Sequence, residues 1–492
     1  MKIEYNLTLD EILNCTDGKA VISGNGTGPF VFNEIFTDSR ENFSRNAVFI
    51  ALKGKNFNGE DFVDAVFKKG GYCALVSWDF LEGHDISVYS DKIIIAVADA
   101  ASALGSIAKF YLSKFDLKKK IAITGSCGKT TTKEMVFNMF SLKYGKEKIL
   151  KNDYNYNNLI GVPKTIFGLN KNHEYLILEI GTNKKGEIKK LSEIITPDVG
   201  AITNIGKSHL LEFKNLEGVF EEKKELALAL SLKKDSFLII NADDETLSAE
   251  CKYKNFPDVN IISFGFGKQT GVSPDILCDN VDINRETGKA VMEISFKGKK
   301  YSSKINFYGM HLISDLLCAV SITAACGIDI ETGLKAIEGF TLPDGRMQVI
   351  PNYAGGYVLI NDSYNSNPDS LKAALDYIKT NYGGKKKILV LGDMLELGDS
   401  AEAEHIEIGR SIGDTADYIF YKGDYSDFIT KGLVEKGFTG KFFIIGNKNA
   451  FADTFNKLDK KNSVILVKGS RGMKLEEYFE EEMPKNKEKR GN

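Results

Sequence analysis

Short apolar runs alternate with stretches of helical spacing over most of this chain. Near the N-terminus "NAVFIAL", "YCALVS" and "KIIIAVA" read as strands divided by turn residues, and "ADAASALGSIAKFYLSKF" reads as a helix leading out of that region. From about residue 118 the runs "KKKIAIT", "YLILEIG", "VGAITNIG" and "SFLIINAD" alternate with helical patterns such as "LEGVFEEKKELALAL". Residues 260–307 read as a small β-rich insertion, and "HLISDLLCAVSITAACG" as a helix closed by Gly327. After "LPDGR" a third series begins, with strands "YVLIND", "KKKILVLGD", "DYIFYKG", "KFFIIG" and "SVILVKGS". Strands that alternate with helices imply mostly parallel, doubly wound sheets. The expected organisation is α/β with three domains, 1–112, 113–340 (carrying the insertion) and 341–480, the last Rossmann-like. The charged end, 481–492, has no hydrophobic pattern and is expected to be disordered.

Composition adds exclusions. A length of 492 residues suits roughly three domains. A net charge of −3 provides no global field to recruit nucleic acid or an anionic membrane. The seven cysteines lack paired spacing, which suits a reducing cytosol better than a disulfide framework. There is no apolar run long enough for a membrane span, and "MKIEYNLTLDEIL" lacks a signal-peptide core, so a soluble intracellular protein is expected. Only seven residues are arginine, the better bidentate binder of phosphate and carboxylate. Three of them, Arg40, Arg346 and Arg471, fall within candidate motifs.

The strongest chemical signal is "AITGSCGKTTT", Ala122 to Thr132. A phosphate-binding loop usually has a glycine, four residues, then Gly-Lys-Ser/Thr. Here Ile123 stands where that first glycine belongs, and Gly125 comes two residues late. The physical requirements are still met: a strand precedes the turn, and a helix follows with apolar positions at Met135, Val136, Met139 and Leu142. The amides of Ser126, Cys127, Gly128 and Thr131 would lie around a helix N-terminus that favours an anion. Lys129 can reach the β- and γ-phosphates and Thr130 can ligate Mg²⁺. A central sheet of the phosphate-loop ATPase type is therefore expected.

Other positions carry two readings each. Glu179 ends "YLILE", where a carboxylate either ligates a metal beside a neighbouring strand or merely solubilises a strand end. His209 in "TNIGKSHLLEF" is a metal ligand or an ordinary surface histidine, and Lys223 in "EEKKEL" is functional or part of a solvated helix face. Asp362 follows a strand before Pro368, where turn chemistry alone would account for it. Arg346 lies between two domains, and Lys468, Ser470 and Arg471 follow the last strand. "NKLD", Asn456 to Asp459, matches a guanine-reading pattern and so admits a GTPase-like switch, but it sits in a helical pattern.

Taken in order, "TDSR", "VFIALKG", "NGEDFVDAVFKKGG", "TGSCGKTTTKE", "NYNNLIGVP", "LEIGTNKKGEI", "TNIGKSHLLEF", "LPDGRM", "NDSYNSNP" and "VLGDMLELG" resemble the Mur ligase family over nearly the whole chain. The short loop is that family's form of the motif. The resemblance implies a bacterial, cytoplasmic, ATP-dependent amide ligase of peptidoglycan precursor synthesis. Its substrates would be UDP-N-acetylmuramoyl-tripeptide and D-alanyl-D-alanine, joined through an acyl phosphate, with a monomer favoured. It implies UDP-sugar binding by Thr37, Asp38, Ser39 and Arg40. Two Mg²⁺ ions would be held by Thr130, Glu179, His209 and Lys223, the last as a carbamate. Nucleotide would be bound by Gly125 to Thr131, His311, Asp315, Arg346 and Asp362. Asn157, Asn158, Asn365, Lys468, Ser470 and Arg471 would contact substrate. The family usually has asparagine where Asp315 stands; an acidic side chain only accepts hydrogen bonds unless protonated. Another amide ligase of the same superfamily, such as a folate polyglutamate type, is the main alternative.

Overall fold

The structure is a computed structural model, described for residues 1–22, 30–153, 155–252, 259–267, 270–284, 289–307, 309–354, 356–413 and 415–479. The C-terminal stretch expected to be disordered lies outside the described residues. Among the described residues, three sheets follow one another along the chain. The first has six strands, with Val31–Phe36, Ala47–Ile50, Cys73–Ser77 and Ile93–Val97 parallel at its centre. Lys2–Thr8 and Lys19–Ile22 pair antiparallel at its two edges. Its apolar runs are buried without alternation, as expected of strands covered on both faces.

The central sheet has nine strands. Seven are parallel, in the order Ile276–Asn284, Asn260–Gly265, Phe237–Asn241, Val199–Ile202, Lys119–Thr124, Tyr175–Glu179, Ile149–Lys151. The region read as a small insertion is part of this sheet. Asn260–Gly265 pairs parallel with both Phe237–Asn241 and Ile276–Asn284, and Lys289–Phe296 and Lys299–Ile305 extend the same hydrogen-bonded ladder by antiparallel pairing. The third sheet runs Gln348–Tyr353, Tyr357–Asn361, Ser463–Lys468, Lys386–Gly392, Tyr418–Lys422, Lys441–Ile444, parallel except for its first edge strand.

The helix Ala100–Leu112 joins the first two sheets rather than closing the first. Asp99 caps its start, and the Tyr111 hydroxyl accepts from the Glu4 amide at 2.8 Å while donating to the Leu169 carbonyl at 3.2 Å. The carboxyl ends of central and third sheets face one another across a cleft, the position where open parallel sheets bind ligands. Loops 125–130, 180–183 and 203–209 approach it from one side, and 362–367, 393–397 and 469–472 from the other.

Candidate active site

The phosphate loop begins where the strand Lys119–Thr124 ends and the helix Lys129–Tyr144 starts. Two of its glycines are required. Gly125 has φ +148, and a Cβ there would lie 1.8 Å from Thr203 Oγ1; Gly128 has φ +81, and a Cβ there would lie 2.0 Å from Asp315 Oδ1. Residues after the neighbouring strand brace the loop: Asn204 Oδ1 accepts from the Cys127 amide at 2.9 Å, Thr203 Oγ1 donates to the Cys127 carbonyl at 2.5 Å, and Ser126 Oγ donates to the Gly206 carbonyl at 3.0 Å. Lys129 Nζ is folded back onto the Gly125 carbonyl at 2.7 Å, and burial lowers its pKa.

Glu179 is the centre of a buried polar network. Its carboxylate accepts from Thr130 Oγ1 and from Asn157 Nδ2, each at 2.8 Å. Asn152, fully buried, accepts from the Glu179 amide at 2.9 Å and donates to its carbonyl at 2.8 Å, so both sides of its main chain are held. Asn158 instead accepts from the Gly161 amide at 2.9 Å, at the start of the short helix Gly161–Ile166.

The other wall comes from the third sheet. Arg346 Nη2 donates to Thr130 Oγ1 at 3.2 Å across that boundary, its guanidinium lies 4.1 Å from the Tyr364 ring centre, and its Nε is buried without a partner. Asp362 accepts from the Met347 amide at 3.0 Å and from Lys468 Nζ at 2.5 Å. Lys468 is the last residue of its strand, not a loop residue after it, and it also donates to the Asn365 carbonyl at 3.1 Å. A buried pair of this kind loses about 3–5 kcal/mol when one partner is removed. Ser470 Oγ accepts from the Leu395 amide at 2.8 Å, and Arg471 pairs with Glu476 at 2.5 Å on the cleft rim. Cys127 Sγ stands 3.1 Å from Asn367 Nδ2, the cap of the helix Pro368–Asn381.

Two adjoining cavities share Ser126, Lys129, Arg346, Asn365, Ser366 and Asn367. The larger, about 370 Å³, reaches Gly128, Thr131, His311, Asp315, Asp362 and Lys468. Burial pushes His311 down to about 4, leaving a neutral ring, and pushes the Asp315 carboxyl up to about 7, against the pull of Arg346 and Lys129. A carboxyl raised that far is partly protonated near neutral pH and can donate as asparagine does. The smaller cavity, about 290 Å³, reaches Asn157, Asn158, Glu179, His209, Ser470 and Arg471.

Lys223 overturns the reading of a solvated helix face. It is 3% exposed on the helix Leu216–Ser231 and forms no hydrogen bond or ion pair with a described residue. Burial and the nearby Lys129 lower its amine to about 7. Thr37, Asp38, Ser39 and Arg40 line neither cavity; Arg40 is exposed and paired with Asp38 at 2.7 Å, which holds that carboxyl down at about 2. Asn456 to Asp459 follow the helix Lys448–Phe455 in a surface turn, outside both cavities.

Sequence reasoning missed Asn152, Thr203, Asn204, Asn367 and Glu396. Asn152 opens the asparagine-rich "NDYNYNN" after a strand, a signal that could have found it.

Residues 123–323 match the Mur ligase middle domain, and 345–471 match the "Mur ligase, glutamate ligase domain". The UDP-N-acetylmuramoyl-tripeptide–D-alanyl-D-alanine ligase of Bacillus subtilis (strain 168) is 33% identical, over 92% of this chain and 93% of its own length. The ligase of the same name from Buchnera aphidicola subsp. Acyrthosiphon pisum is 34% identical, over 96% and 98%. Among solved structures, MurF from Acinetobacter baumannii superposes with a TM-score of 0.83 at 27% identity, covering 98% of this chain and 99% of that one. With its loop, its three sheets and its cleft matched along nearly their whole length, this chain belongs to the Mur ligase family.

Proposed function

We propose a division of labour for this ATP-dependent ligase, which joins D-alanyl-D-alanine to UDP-N-acetylmuramoyl-tripeptide in peptidoglycan precursor synthesis. The observation that carries it is the single cleft in which the phosphate loop and Glu179 of the central sheet meet Arg346 of the third. Residues 1–112 bind the UDP-sugar through Thr37 to Arg40, 113–340 bind ATP, and 341–480 close over both. The reaction takes place in the cytoplasm on a monomer.

The loop amides, with Lys129 released from the Gly125 carbonyl, hold the nucleotide phosphates. His311 and a protonated Asp315 face the nucleotide, while the Asp362–Lys468 pair fixes the wall beside it. Arg346, with an unpartnered Nε, supplies the cationic fork to the transferring phosphoryl group. The γ-phosphoryl group moves to the terminal carboxylate of the tripeptide, giving an acyl phosphate and ADP. The dipeptide amine then attacks the acyl carbon; a C–N bond forms, the C–O bond breaks, and phosphate and a proton leave. Asn157, Asn158, Asn365, Ser470 and Arg471 line the adjoining cavity, where this second step fits. Closure excludes water that would hydrolyse the acyl phosphate.

One Mg²⁺ ion fits the donors present at the phosphate loop. Thr130 and Glu179 offer hard oxygens 2.8 Å apart at the phosphate loop, and Mg²⁺ commonly takes one or two protein oxygens with substrate phosphates for the rest. No cluster of three or more His, Cys, Asp or Glu exists among the described residues. When bound, Mg²⁺ neutralises charge on the phosphoryl oxygens. His209 and Lys223 serve the second ion, Lys223 as a carbamate that supplies negative charge beside Lys129.

Phosphate release tests the reading. It is expected only with ATP, UDP-N-acetylmuramoyl-tripeptide and D-alanyl-D-alanine together. Equal turnover with free L-lysine, diaminopimelate or glutamate in place of the dipeptide overturns it.

A further inference from the structure

The segment Gly392 to Gly398, "GDMLELG", has no role in the chemistry described so far, yet it crosses the cleft to the central sheet. Glu396 Oε2 lies 2.7 Å from His209 Nδ1, and the Leu211 amide donates to the Glu396 carbonyl at 3.1 Å. Both partners hold left-handed backbone, His209 at φ 53 and Glu396 at φ 66, a conformation that non-glycine residues keep only where their surroundings impose it. The segment is clamped from behind. The Leu395 amide donates to Ser470 Oγ at 2.8 Å and the Met394 amide to His405 Nε2 at 3.1 Å. Asp393 accepts from the Tyr421 hydroxyl at 2.7 Å and from the Asp424 amide at 2.8 Å. A second clasp lies alongside, with Lys207 Nζ on Glu404 at 2.5 Å and the Lys207 amide on Asp369 at 2.7 Å. His209 and Glu396 both line the smaller cavity.

We propose that Glu396 is a positioning residue for His209, delivered by the C-terminal domain, so that docking of that domain completes the cation-binding face of the site. A carboxylate on Nδ1 selects the tautomer with the proton there, and Nε2 is left as the nitrogen with a lone pair to offer. The central domain alone presents His209 without its orienting partner. Cation binding and domain docking are then coupled through one hydrogen bond. This inference rests on the reading of His209 as a metal-binding group.

The test uses the full chain with ADP and Mn²⁺ as the probe, bound Mn²⁺ being counted by electron paramagnetic resonance. Glu396→Gly removes the carboxylate but keeps the positive φ and the main-chain bond from Leu211. Glu396→Gln keeps an oxygen that accepts from Nδ1. The expected result is a weaker second Mn²⁺ in Glu396→Gly and in His209→Ala, by about 10- to 100-fold. Glu396→Gln is expected to stay close to the unmodified protein. In turnover, Glu396→Gly should lower kcat with the KM for ATP held within about twofold, since the phosphate loop is untouched. Weakened Mn²⁺ binding in His209→Ala with unmodified affinity in both Glu396 variants overturns the inference and leaves the reading of His209 standing. Unchanged Mn²⁺ binding in His209→Ala overturns both.

Discussion

A buried ammonium without a partner costs several kcal/mol, so a lysine in that position is kept neutral or chemically changed. Lys223 is in that position, and its amine, lowered to about 7, loses its proton near neutral pH. The sign follows from linkage. The unfolded chain binds a proton there up to about 10.5 and the folded chain only to about 7, so the free amine lowers stability most below pH 7 and stops doing so as pH rises through that window. A neutral amine is also the form that adds carbon dioxide, and the proposed carbamate would turn repulsion from Lys129 into attraction. Lys223→Ala is expected to lose on the order of a hundredfold in kcat, as when one preorganised electrostatic group is removed. Lys223→Arg should do no better, because a guanidinium stays cationic. Formate or acetate should partly restore the alanine variant, and ¹³C-bicarbonate should give a carbamate resonance only in the protein with Lys223. A fully active Lys223→Arg protein defeats the reading. In the sequence only the family resemblance separates this residue from its lysine and glutamate neighbours; its burial among Val219, Leu226 and Leu230 on one helix face comes from packing.

At the scale of elements, a strand end is useful only if it is held still. The strand Tyr175–Glu179 is buried throughout, and its last residue points a carboxylate at the start of the helix Lys129–Tyr144. The position of Glu179 is legible in sequence, because a charged residue ending an apolar run locates the carboxyl end of a strand. What fixes its aim lies outside the strand. Asn152 lies 27 residues away and spans both the amide and the carbonyl of Glu179. Asn152→Ala leaves buried main-chain groups unpaired, at about 1–3 kcal/mol each. It should therefore lower the melting temperature and kcat together, whereas Asn157→Ala, which removes only one hydrogen bond to the carboxylate, should lower kcat with a smaller thermal effect. Equal melting temperatures for Asn152→Ala and the unmodified protein exclude the supporting role. The strand Asn260–Gly265 and the meander after it make a related point: β-rich composition is visible locally, while continuity with the central sheet depends on pairing with Phe237–Asn241.

At the scale of the molecule, the cleft exists only when central and third sheets are docked. Arg346 is the residue that most directly senses this, since it comes from the start of the third unit and reaches Thr130, 216 residues away. Arg346→Lys keeps the charge but loses the planar fork and its stacking on Tyr364. It is expected to lower kcat by at least tenfold with little change in melting temperature, measured by phosphate release and thermal denaturation in parallel. A large thermal loss with intact turnover makes the residue structural instead. No helix among the described residues is long and apolar enough to cross a membrane.

The alternation of strands and helices, the short phosphate loop with Gly125, Gly128, Lys129 and Thr130, and the strand-end carboxylate at Glu179 were determined by the sequence alone. They depend on local periodicity and contiguous motifs, which the order of residues states directly. Tertiary structure decided which charges are paired and which are buried. Asp362 and Lys468 neutralise one another across 106 residues, Glu396 reaches His209 from another sheet, and Lys223 is left without a partner beside Lys129. The physical reason is that desolvation and Coulomb interaction depend on distance in space. For side chains brought together from separate sheets, that distance exists only after the chain has packed.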